Sequence, residues 1–163
     1  MFPDDIQSLA RRVVETATAR RLMIAAAESC TGGLVTAALT AVAGSSAVVE
    51  RGFVTYSNAA KAELLGVPAE LIDRHGAVSE PVARAMTEGA LVHSAAAVSV
   101  AVTGIAGPGG GSPDKPVGLV HFAAAGPGGL VHVEHRFGDI GREAVRLASV
   151  GVALDLLLDR MGA

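Results

Sequence analysis

Short apolar runs recur along this chain, and three of them end directly in a cluster of polar residues. They are Leu22 to Ala27, Ala97 to Val102 and Val48 to Tyr56, the last of which contains charged residues but is enriched in Val, Phe and Thr. Runs this short and this rich in small or branched apolar residues are typical of buried strands. Helical periodicity separates them, beginning with residues 4–20. The alternation predicts an α/β fold with three layers, in which helices cover both faces of a mixed, mostly parallel sheet of about five strands.

The second half of the chain adds a hairpin and a closing helix to this pattern. Val117 to Ala125 and Leu130 to Phe137 predict two strands around a Gly-Pro-Gly-Gly turn. The residues from Arg142 to Arg160 predict one long helix. The chain of 163 residues is long enough for one hydrophobic core, so we expect a single domain over residues 1–163.

Charge and composition exclude several classes of partner. The net charge is −3, tryptophan is absent and there is one tyrosine, which argues against a nucleic-acid partner. A single cysteine excludes an internal disulfide framework and a cysteine-rich zinc site. The first 21 residues lack the order of a signal peptide, and no apolar run reaches the roughly 18 residues of a membrane helix. We therefore expect a cytoplasmic protein without membrane association.

Polar residues at the ends of the three apolar runs mark the expected site. They are Glu28 to Thr31, Tyr56 to Asn58, and Thr103 with Gly104. Ligands of open α/β sheets gather at the carboxyl ends of strands, so these clusters favour a common site. Alternatively, they are the turn residues that any strand end needs. Thr31 is also the predicted N-cap of the helix that follows the first strand.

Lys61 is unusual because it lies in the first turn of a predicted helix. With Asn58 as the N-cap, Lys61 is the third helical residue. The helix dipole disfavours a cation there by about 0.3–1 kcal/mol and thus favours the neutral amine. A neutral lysine can accept a proton from a serine hydroxyl, whereas the alternative is an ordinary solvated lysine. Tyr56 does not complete the Tyr-x-x-x-Lys pattern of a short-chain dehydrogenase, so nicotinamide-dependent redox chemistry is not expected.

Two features predict an anion site. The loop of residues 104–112, Gly-Ile-Ala-Gly-Pro-Gly-Gly-Gly-Ser, can bring backbone N–H groups against a phosphate. It matches neither a Walker loop nor Gly-x-Gly-x-x-Gly. Arg142 and Arg146 share one helix face, where two guanidinium groups can bind a phosphate. The alternatives are a flexible surface loop and a solvated charged face.

Cys30 and the histidines are weaker candidates for chemistry. A thiol nucleophile needs a nearby histidine, and the five histidines are distant from Cys30 in sequence, so Cys30 is expected to be a packing residue. His132 and His135 flank Glu134 in a pattern that suggests a metal, but residues three apart on a strand face opposite sides. We therefore expect neither a metal nor a cofactor.

Four segments resemble the CinA C-terminal family. They read AESCTGG, GSSAVVERGFVTYSNAAK, HGAVSEPVARAM and TGIAGPGGGSPDKPVGLVHFA, in this order between about residues 25 and 146. Stand-alone members of that family are nicotinamide-nucleotide amidohydrolases of the PncC type. The resemblance implies hydrolysis of the carboxamide of nicotinamide mononucleotide, which yields nicotinate mononucleotide and ammonia in pyridine nucleotide salvage. For partners, we expect this small nucleotide substrate and further copies of the chain in a homo-oligomer.

The resemblance also implies roles for individual residues. Ser46 matches the proposed nucleophile of the family, Lys61 its base and Tyr56 its tyrosine, while Ser29 is the alternative nucleophile. The implied substrate-binding residues are Thr31, Gly32, Gly33, Ser45, Thr103, Gly104, Ile105, Ala106, Gly107, Arg142 and Arg146. A Ser-Lys dyad supplies a nucleophile and a base without histidine or metal. Two other hypotheses stay open: a non-catalytic nucleotide-binding module and a competence or DNA-damage accessory protein.

Overall fold

The computed structural model describes residues 1–162, which form one five-stranded sheet with α-helices on both faces. In chain order the elements are α1 (Asp4–Arg20), β1 (Ile24–Glu28), α2 (Leu34–Thr40), a 3₁₀ turn (Ser45–Ala47), β2 (Val49–Val54), α3 (Asn58–Leu65), α4 (Ala69–His75), α5 (Glu80–Val92), β3 (Val98–Gly104), β4 (Leu119–Gly126), β5 (Gly129–Arg136) and α6 (Arg142–Arg160). The strand order is β2-β1-β3-β4-β5. β1 runs parallel to β2 and β3, whereas β4 is antiparallel to β3 and β5. The predicted three-layer α/β fold with a mixed sheet is confirmed.

The central strands bury both of their faces, because successive side chains of a strand point to opposite sides. In β1, Ile24 and Ala26 pack into a cluster with α1, α2 and α6. Ala25 and Ala27 of the same strand pack into a second cluster, which includes residues of α3, α4 and α5. The alanines leave room for helices to approach the sheet closely on each side.

The hairpin and the last helix follow the sequence pattern closely. β4 and β5 are joined at the Gly126–Gly129 pair, with Gly129 at φ +85°. α6 has the predicted bounds, Arg142–Arg160, and packs on β3, β4 and α1. Within residues 1–162, no helix is both long and apolar enough to cross a membrane.

Two predicted helix N-caps are wrong. Ser57, not Asn58, caps α3, since its Oγ accepts a hydrogen bond from the Ala60 amide at 3.0 Å. Lys61 is therefore the fourth helical residue, one step further from the helix end, where the dipole effect is weaker. α2 begins only at Leu34, with Gly33 as its N-cap, so the cap is not Thr31.

α5 approaches the end of α3 very closely at Gly89. A Cβ atom at this position would overlap the carbonyl group of Leu65, the last residue of α3. Gly89 itself is fully buried in α5. Because glycine has no side chain, α5 can lie this close to α3, the helix that carries Lys61.

Candidate active site

The carboxyl ends of β1, β2 and β3 lie side by side at one edge of the sheet. The Ser29 amide donates a hydrogen bond to the Val102 carbonyl at 2.9 Å, which joins the end of β1 to β3. The Thr55 amide donates to the Glu28 carbonyl at 2.8 Å, which joins β2 to β1. The parallel pairing thus brings together the polar residues that follow these strands, although they are far apart in sequence.

Lys61 and Ser29 meet directly at this edge. Lys61 Nζ donates to Ser29 Oγ at 3.0 Å and to the Thr55 carbonyl at 2.8 Å. α3 holds the lysine over the end of β1, while the turn after β1 presents the serine. A serine hydroxyl at hydrogen-bond distance from an amine is the geometry that general-base activation requires.

Burial makes this lysine a plausible base. Lys61 is 1% exposed, and no carboxylate of residues 1–162 lies within ion-pair distance of its Nζ. Removal of the amine from water lowers the pKa of Lys61 below its ordinary value of 10.5. The nearby Cys30 acts weakly in the opposite direction on that pKa. The sequence suggested the helix dipole as the cause, but the structure assigns the main effect to burial.

Ser46 lies at the other end of the sheet. It is an exposed residue of the 3₁₀ turn Ser45–Ala47, which precedes β2 and in which Ser45 is buried. β2 runs from Val49 to Val54 before the chain reaches Thr55, and five residue steps along a strand cover about 16 Å. The structure therefore does not bring Ser46 to Lys61, and Ser45 is equally remote from it.

Glu28 fixes the turn that presents Ser29. Its buried carboxylate accepts hydrogen bonds from the amides of Gly33, Val35 and Thr36 at 3.1, 3.0 and 2.9 Å. The Thr36 hydroxyl donates a fourth hydrogen bond at 2.8 Å. The carboxylate thus takes the place of a side-chain cap at the N-terminus of α2, where a negative charge is favourable.

Arg146 secures the same turn from outside. Its Nε donates to the Cys30 carbonyl at 3.1 Å, and its NH2 donates to the Thr31 carbonyl at 3.1 Å. Gly32 faces this guanidinium group and has φ +55°, a backbone conformation that glycine adopts without strain. Burial raises the pKa of the Cys30 thiol to about 12, so the thiol stays protonated and is a poor nucleophile.

A cavity of about 260 Å³ opens over Ser29 and Lys61. Arg142, at the start of α6, lies at its side and joins two walls. Its NH1 donates to the Gly107 carbonyl at 2.8 Å, and its NH2 donates to the Tyr56 hydroxyl at 2.9 Å. The arginine therefore ties the glycine-rich loop to the residue that follows β2.

The predicted substrate-binding residues divide into two groups. Those that line the cavity are Thr103, Gly104, Ile105, Ala106, Gly107 and Arg142, joined by Ser29, Tyr56 and Lys61 of the predicted catalytic residues. Those outside its lining are Thr31, Gly32, Gly33, Ser45, Arg146 and Ser46. Residues of the loop and of the strand ends are thus brought together around the cavity. The predicted residues of the β1–α2 turn lie outside its lining.

Sequence reasoning missed several residues of the site. The cavity is also lined by Ala77 and Val78, and its Thr103 hydroxyl donates to the Ala77 carbonyl at 2.9 Å. Asn58, which belongs to a predicted polar cluster, lines it as well. Glu28 was named only as one member of a polar cluster. A glutamate at the end of a buried apolar strand was the available signal, because a buried carboxylate needs several donors.

A larger cleft lies elsewhere and carries no comparable chemistry. It measures about 710 Å³ and runs between α1 and the α2–β2 connection, lined largely by apolar side chains such as those of Phe2, Ile6, Val14 and Val42. Among residues 1–162, no three His, Cys, Asp or Glu side chains are grouped so that they could hold a metal ion. The Ser29 hydroxyl, the buried amine of Lys61 and the glycine-rich loop all belong to the smaller cavity.

The sequence profile of the CinA C-terminal domain matches residues 6–161. The chain belongs to the CinA C-terminal domain family. A CinA-like protein of Synechococcus sp. (strain RCC307) is 54% identical over 157 residues, which cover 96% of this chain and 38% of the relative. A CinA-like protein of Anaeromyxobacter sp. (strain K) is 52% identical over 158 residues, with the same two shares. The chain thus spans well under half the length of these curated relatives.

Solved structures of this family have the same fold. The competence/damage inducible protein CihA from Agrobacterium tumefaciens superimposes with a TM-score of 0.97 at 55% identity, over 100% of this chain and 99% of that one. A CinA superfamily protein from Klebsiella pneumoniae superimposes with a TM-score of 0.90 at 37% identity, over 96% and 98% of the two chains. The CinA fold therefore holds over nearly the whole of this chain.

Proposed function

We propose that this CinA-family chain hydrolyses the carboxamide of nicotinamide mononucleotide, with Ser29 as the nucleophile and Lys61 as the general base. One observation carries the proposal: Lys61 Nζ lies 3.0 Å from Ser29 Oγ, beside a cavity. The lysine is buried without a carboxylate partner in the described chain, which favours its neutral form. The proposal keeps the Ser-Lys chemistry implied by the family resemblance and moves the nucleophile from Ser46 to Ser29.

The reaction follows from the positions of these two groups. Neutral Lys61 takes the hydroxyl proton of Ser29 while Oγ attacks the carboxamide carbon. The resulting tetrahedral intermediate collapses when Lys61 returns the proton to the amide nitrogen, which leaves as ammonia. The acyl-enzyme ester is then hydrolysed by a water molecule that Lys61 deprotonates, which releases nicotinate mononucleotide and restores Ser29. The Thr55 carbonyl holds the amine in line throughout.

The intermediate needs a donor for its oxyanion, and the Cys30 amide is the best placed candidate. It directly follows the nucleophile in the chain, a position from which a backbone N–H stabilises the oxyanion in other acyl-transfer sites. Within residues 1–162 this amide donates to no backbone carbonyl of another residue. Arg146 and Glu28 fix the turn on either side of it, so the amide is held in place before substrate binds.

The walls of the cavity favour a mononucleotide. Its volume of about 260 Å³ argues against a substrate as large as a dinucleotide. The glycine-rich loop supplies backbone N–H groups, and Arg142 supplies the charge for a phosphate. The two hydrogen bonds of Arg142 leave further guanidinium N–H groups free to bind an anion.

Ammonia release from nicotinamide mononucleotide tests the proposal. We expect turnover by the wild-type chain and none by Ser29→Ala, and much slower release from free nicotinamide, which lacks the phosphate. Brief quenching during turnover should trap a nicotinoyl-nucleotide adduct on the peptide that contains Ser29, detectable by mass spectrometry. Saturable binding of the nucleotide without ammonia release would instead favour a non-catalytic binding module.

The competence or DNA-damage role rests only on the names of the structural neighbours. The net charge of −3 argues against direct contact with DNA, whose binding is dominated by phosphate contacts. Neither Ser29 nor Lys61 has a use in such a role. The site therefore favours the hydrolase.

A further inference from the structure

Thr103 of β3 lies beside Ser29, although the hydrolytic steps give it no role. The register of the two parallel strands pairs Ala27 of β1 with Ala101 of β3, and both alanines pack into the cluster that includes residues of α5. Two residues later, Ser29 and Thr103 therefore point to this same side of the sheet. Neighbouring strands are about 4.8 Å apart, so the Thr103 side chain is close enough to contact a carboxamide held at Ser29 Oγ.

The proton of the Thr103 hydroxyl is already engaged. Thr103 is 1% exposed, and its Oγ1 donates to the Ala77 carbonyl at 2.9 Å. No other donor in residues 1–162 reaches that carbonyl, so rotation of the hydroxyl would leave the carbonyl unpaired, at a cost in free energy. An oxygen whose proton is engaged still has lone pairs that accept hydrogen bonds. Toward the cavity, which Thr103 lines, its Oγ1 is therefore an acceptor only.

The other two hydroxyls of the cavity lining differ from that of Thr103. Ser29 Oγ accepts a hydrogen bond from Lys61 Nζ. The Tyr56 hydroxyl accepts one from Arg142 NH2. Neither hydroxyl donates to a protein group of residues 1–162, so both protons are free to turn toward a ligand oxygen. Thr103 is thus the hydroxyl of this lining that distinguishes a ligand N–H group from a ligand oxygen.

We propose that Thr103 is a specificity-determining residue whose Oγ1 accepts a hydrogen bond from the NH₂ group of the substrate carboxamide. The inference rests on the proposed hydrolysis and adds to it a basis for selecting the amide over the acid. An amide nitrogen carries two N–H donors, whereas a carboxylate has only acceptor oxygens. The carboxylate of the product would place an oxygen lone pair against that of Thr103 Oγ1, which opposes product binding and favours product release.

This position of the NH₂ group agrees with the other contacts of the carboxamide. The carboxamide carbon faces Ser29 Oγ and its oxygen faces the Cys30 amide, which leaves the nitrogen for Thr103. Lys61 Nζ, 3.0 Å from Ser29 Oγ, protonates that nitrogen when the tetrahedral intermediate collapses. Thr103 Oγ1 accepts from the nitrogen before and during its departure as ammonia, and it takes no proton itself.

The test compares two ligands on a chain that cannot turn over. In a Ser29→Ala background, titration calorimetry at pH 8 measures the dissociation constants of nicotinamide mononucleotide and of nicotinate mononucleotide. Thr103→Val keeps the shape of the side chain but removes its oxygen. We expect this change to weaken binding of the amide about tenfold, the value of one lost hydrogen bond, without weakening binding of the acid. The preference for the amide over the acid should fall by the same factor.

Two further variants separate specificity from stability. Thr103→Ser keeps the hydroxyl and should restore the preference for the amide. Thr87→Val is the matched control, because Thr87 is fully buried in α5, its Oγ1 lies 2.7 Å from Ser99 Oγ, and it does not line the cavity. It should lower the thermal unfolding midpoint, as Thr103→Val does, and leave both dissociation constants unchanged. Circular dichroism confirms the fold, and Thr103→Ala replaces the valine variant if that variant is unfolded.

Equal weakening of both ligands in Thr103→Val, or an unchanged preference for the amide, would overturn the role of Thr103. If the wild-type chain still releases ammonia in that case, the hydrolase assignment stands and this inference alone fails. If neither nucleotide binds while Thr103 is present, the hydrolase assignment fails and this inference fails with it.

Discussion

Two serines stand at opposite ends of the same pair of strands, and only one is in a position to react. Ser29 follows the carboxyl end of β1, is 9% exposed and contacts the amine of Lys61. Ser46 is exposed and precedes the amino end of β2, and within residues 1–162 its side chain makes no hydrogen bond. Contact with the buried amine of Lys61, rather than a place in the Gly-Ser-Ser motif, makes Ser29 the candidate nucleophile.

The two ends differ for a physical reason. At the carboxyl ends, three parallel strands deliver polar residues to one point, and α3 covers them, which removes water from Lys61. At the amino end of β2, by contrast, Ser46 and Ala47 remain exposed to solvent. The hydroxyl group of Ser29 therefore lies beside a desolvated amine, whereas that of Ser46 lies beside water.

Replacing each serine with alanine, one at a time, tests the difference between Ser29 and Ser46 most directly. We expect Ser29→Ala to lower kcat for nicotinamide mononucleotide by 10³-fold or more, on the order seen when a serine nucleophile is removed. Ser46→Ala should retain activity within about twofold, because its side chain is remote from the cavity. Ammonia release at saturating substrate measures both, and the opposite ranking of the variants would return the nucleophile to Ser46.

Lys61 can be altered so that shape and charge are tested separately. Lys61→Met keeps most of the side-chain volume but removes the base, and Lys61→Arg keeps a charge that cannot be lost near neutral pH. We expect both variants to lose about 10²–10⁴-fold in kcat, the range for a general base. Full activity in Lys61→Arg would contradict the role of the neutral amine, provided that circular dichroism shows a native fold.

The pH dependence gives a smaller but more specific effect. The neutral amine is the active form, so kcat/KM should fall about tenfold per pH unit below the pKa of Lys61 and level off above it. Burial lowers that pKa, so the inflection should lie below 10.5. The amine of Lys61 binds a proton more readily in the unfolded chain than in the folded one. The free energy of unfolding should therefore decrease as pH falls from 10.5 to the lowered pKa of Lys61. A profile that rises toward acidic pH would exclude lysine as the base.

Arg142 and Arg146 form a matched pair with the smallest expected effect on turnover. Arg142→Lys keeps the charge but loses the fork that reaches Gly107 and Tyr56, so we expect KM to rise about tenfold with little change in kcat. Arg146→Lys should instead lower the free energy of unfolding by about 1–2 kcal/mol, because it leaves carbonyls of the β1–α2 turn unpaired. Urea denaturation and steady-state kinetics separate these outcomes.

Local patterns predicted the fold well, because each element depends mainly on its own residues. The bounds of α6, the hairpin and the burial of β1 all follow from periodicity and turn residues. The importance of Lys61 was predicted as well, although its cause was assigned to the helix dipole. Ser57 and Asn58 are both good N-caps, and only the observed hydrogen bond to Ala60 separates them.

The sequence could not identify the partner of Lys61. Ser29 and Lys61 are 32 residues apart, and their contact depends on how β1, β2 and α3 pack. The hydrogen bond between Arg142 and Tyr56, 86 residues apart, is a long-range contact of the same kind. A single sequence has no local signal for these contacts, whereas it has one for every helix and strand.

The close contact at Gly89 means that the Ser29–Lys61 distance also depends on α5, a helix that donates or accepts no side-chain hydrogen bond with either residue. A methyl group at position 89 would push α5 and the end of α3 apart, since it would overlap the Leu65 carbonyl. α3 would then tilt about its capped start at Ser57 and draw the amine away from the hydroxyl. In a mutational screen, inactive but folded variants should therefore also map to this helix crossing, far from the nucleotide.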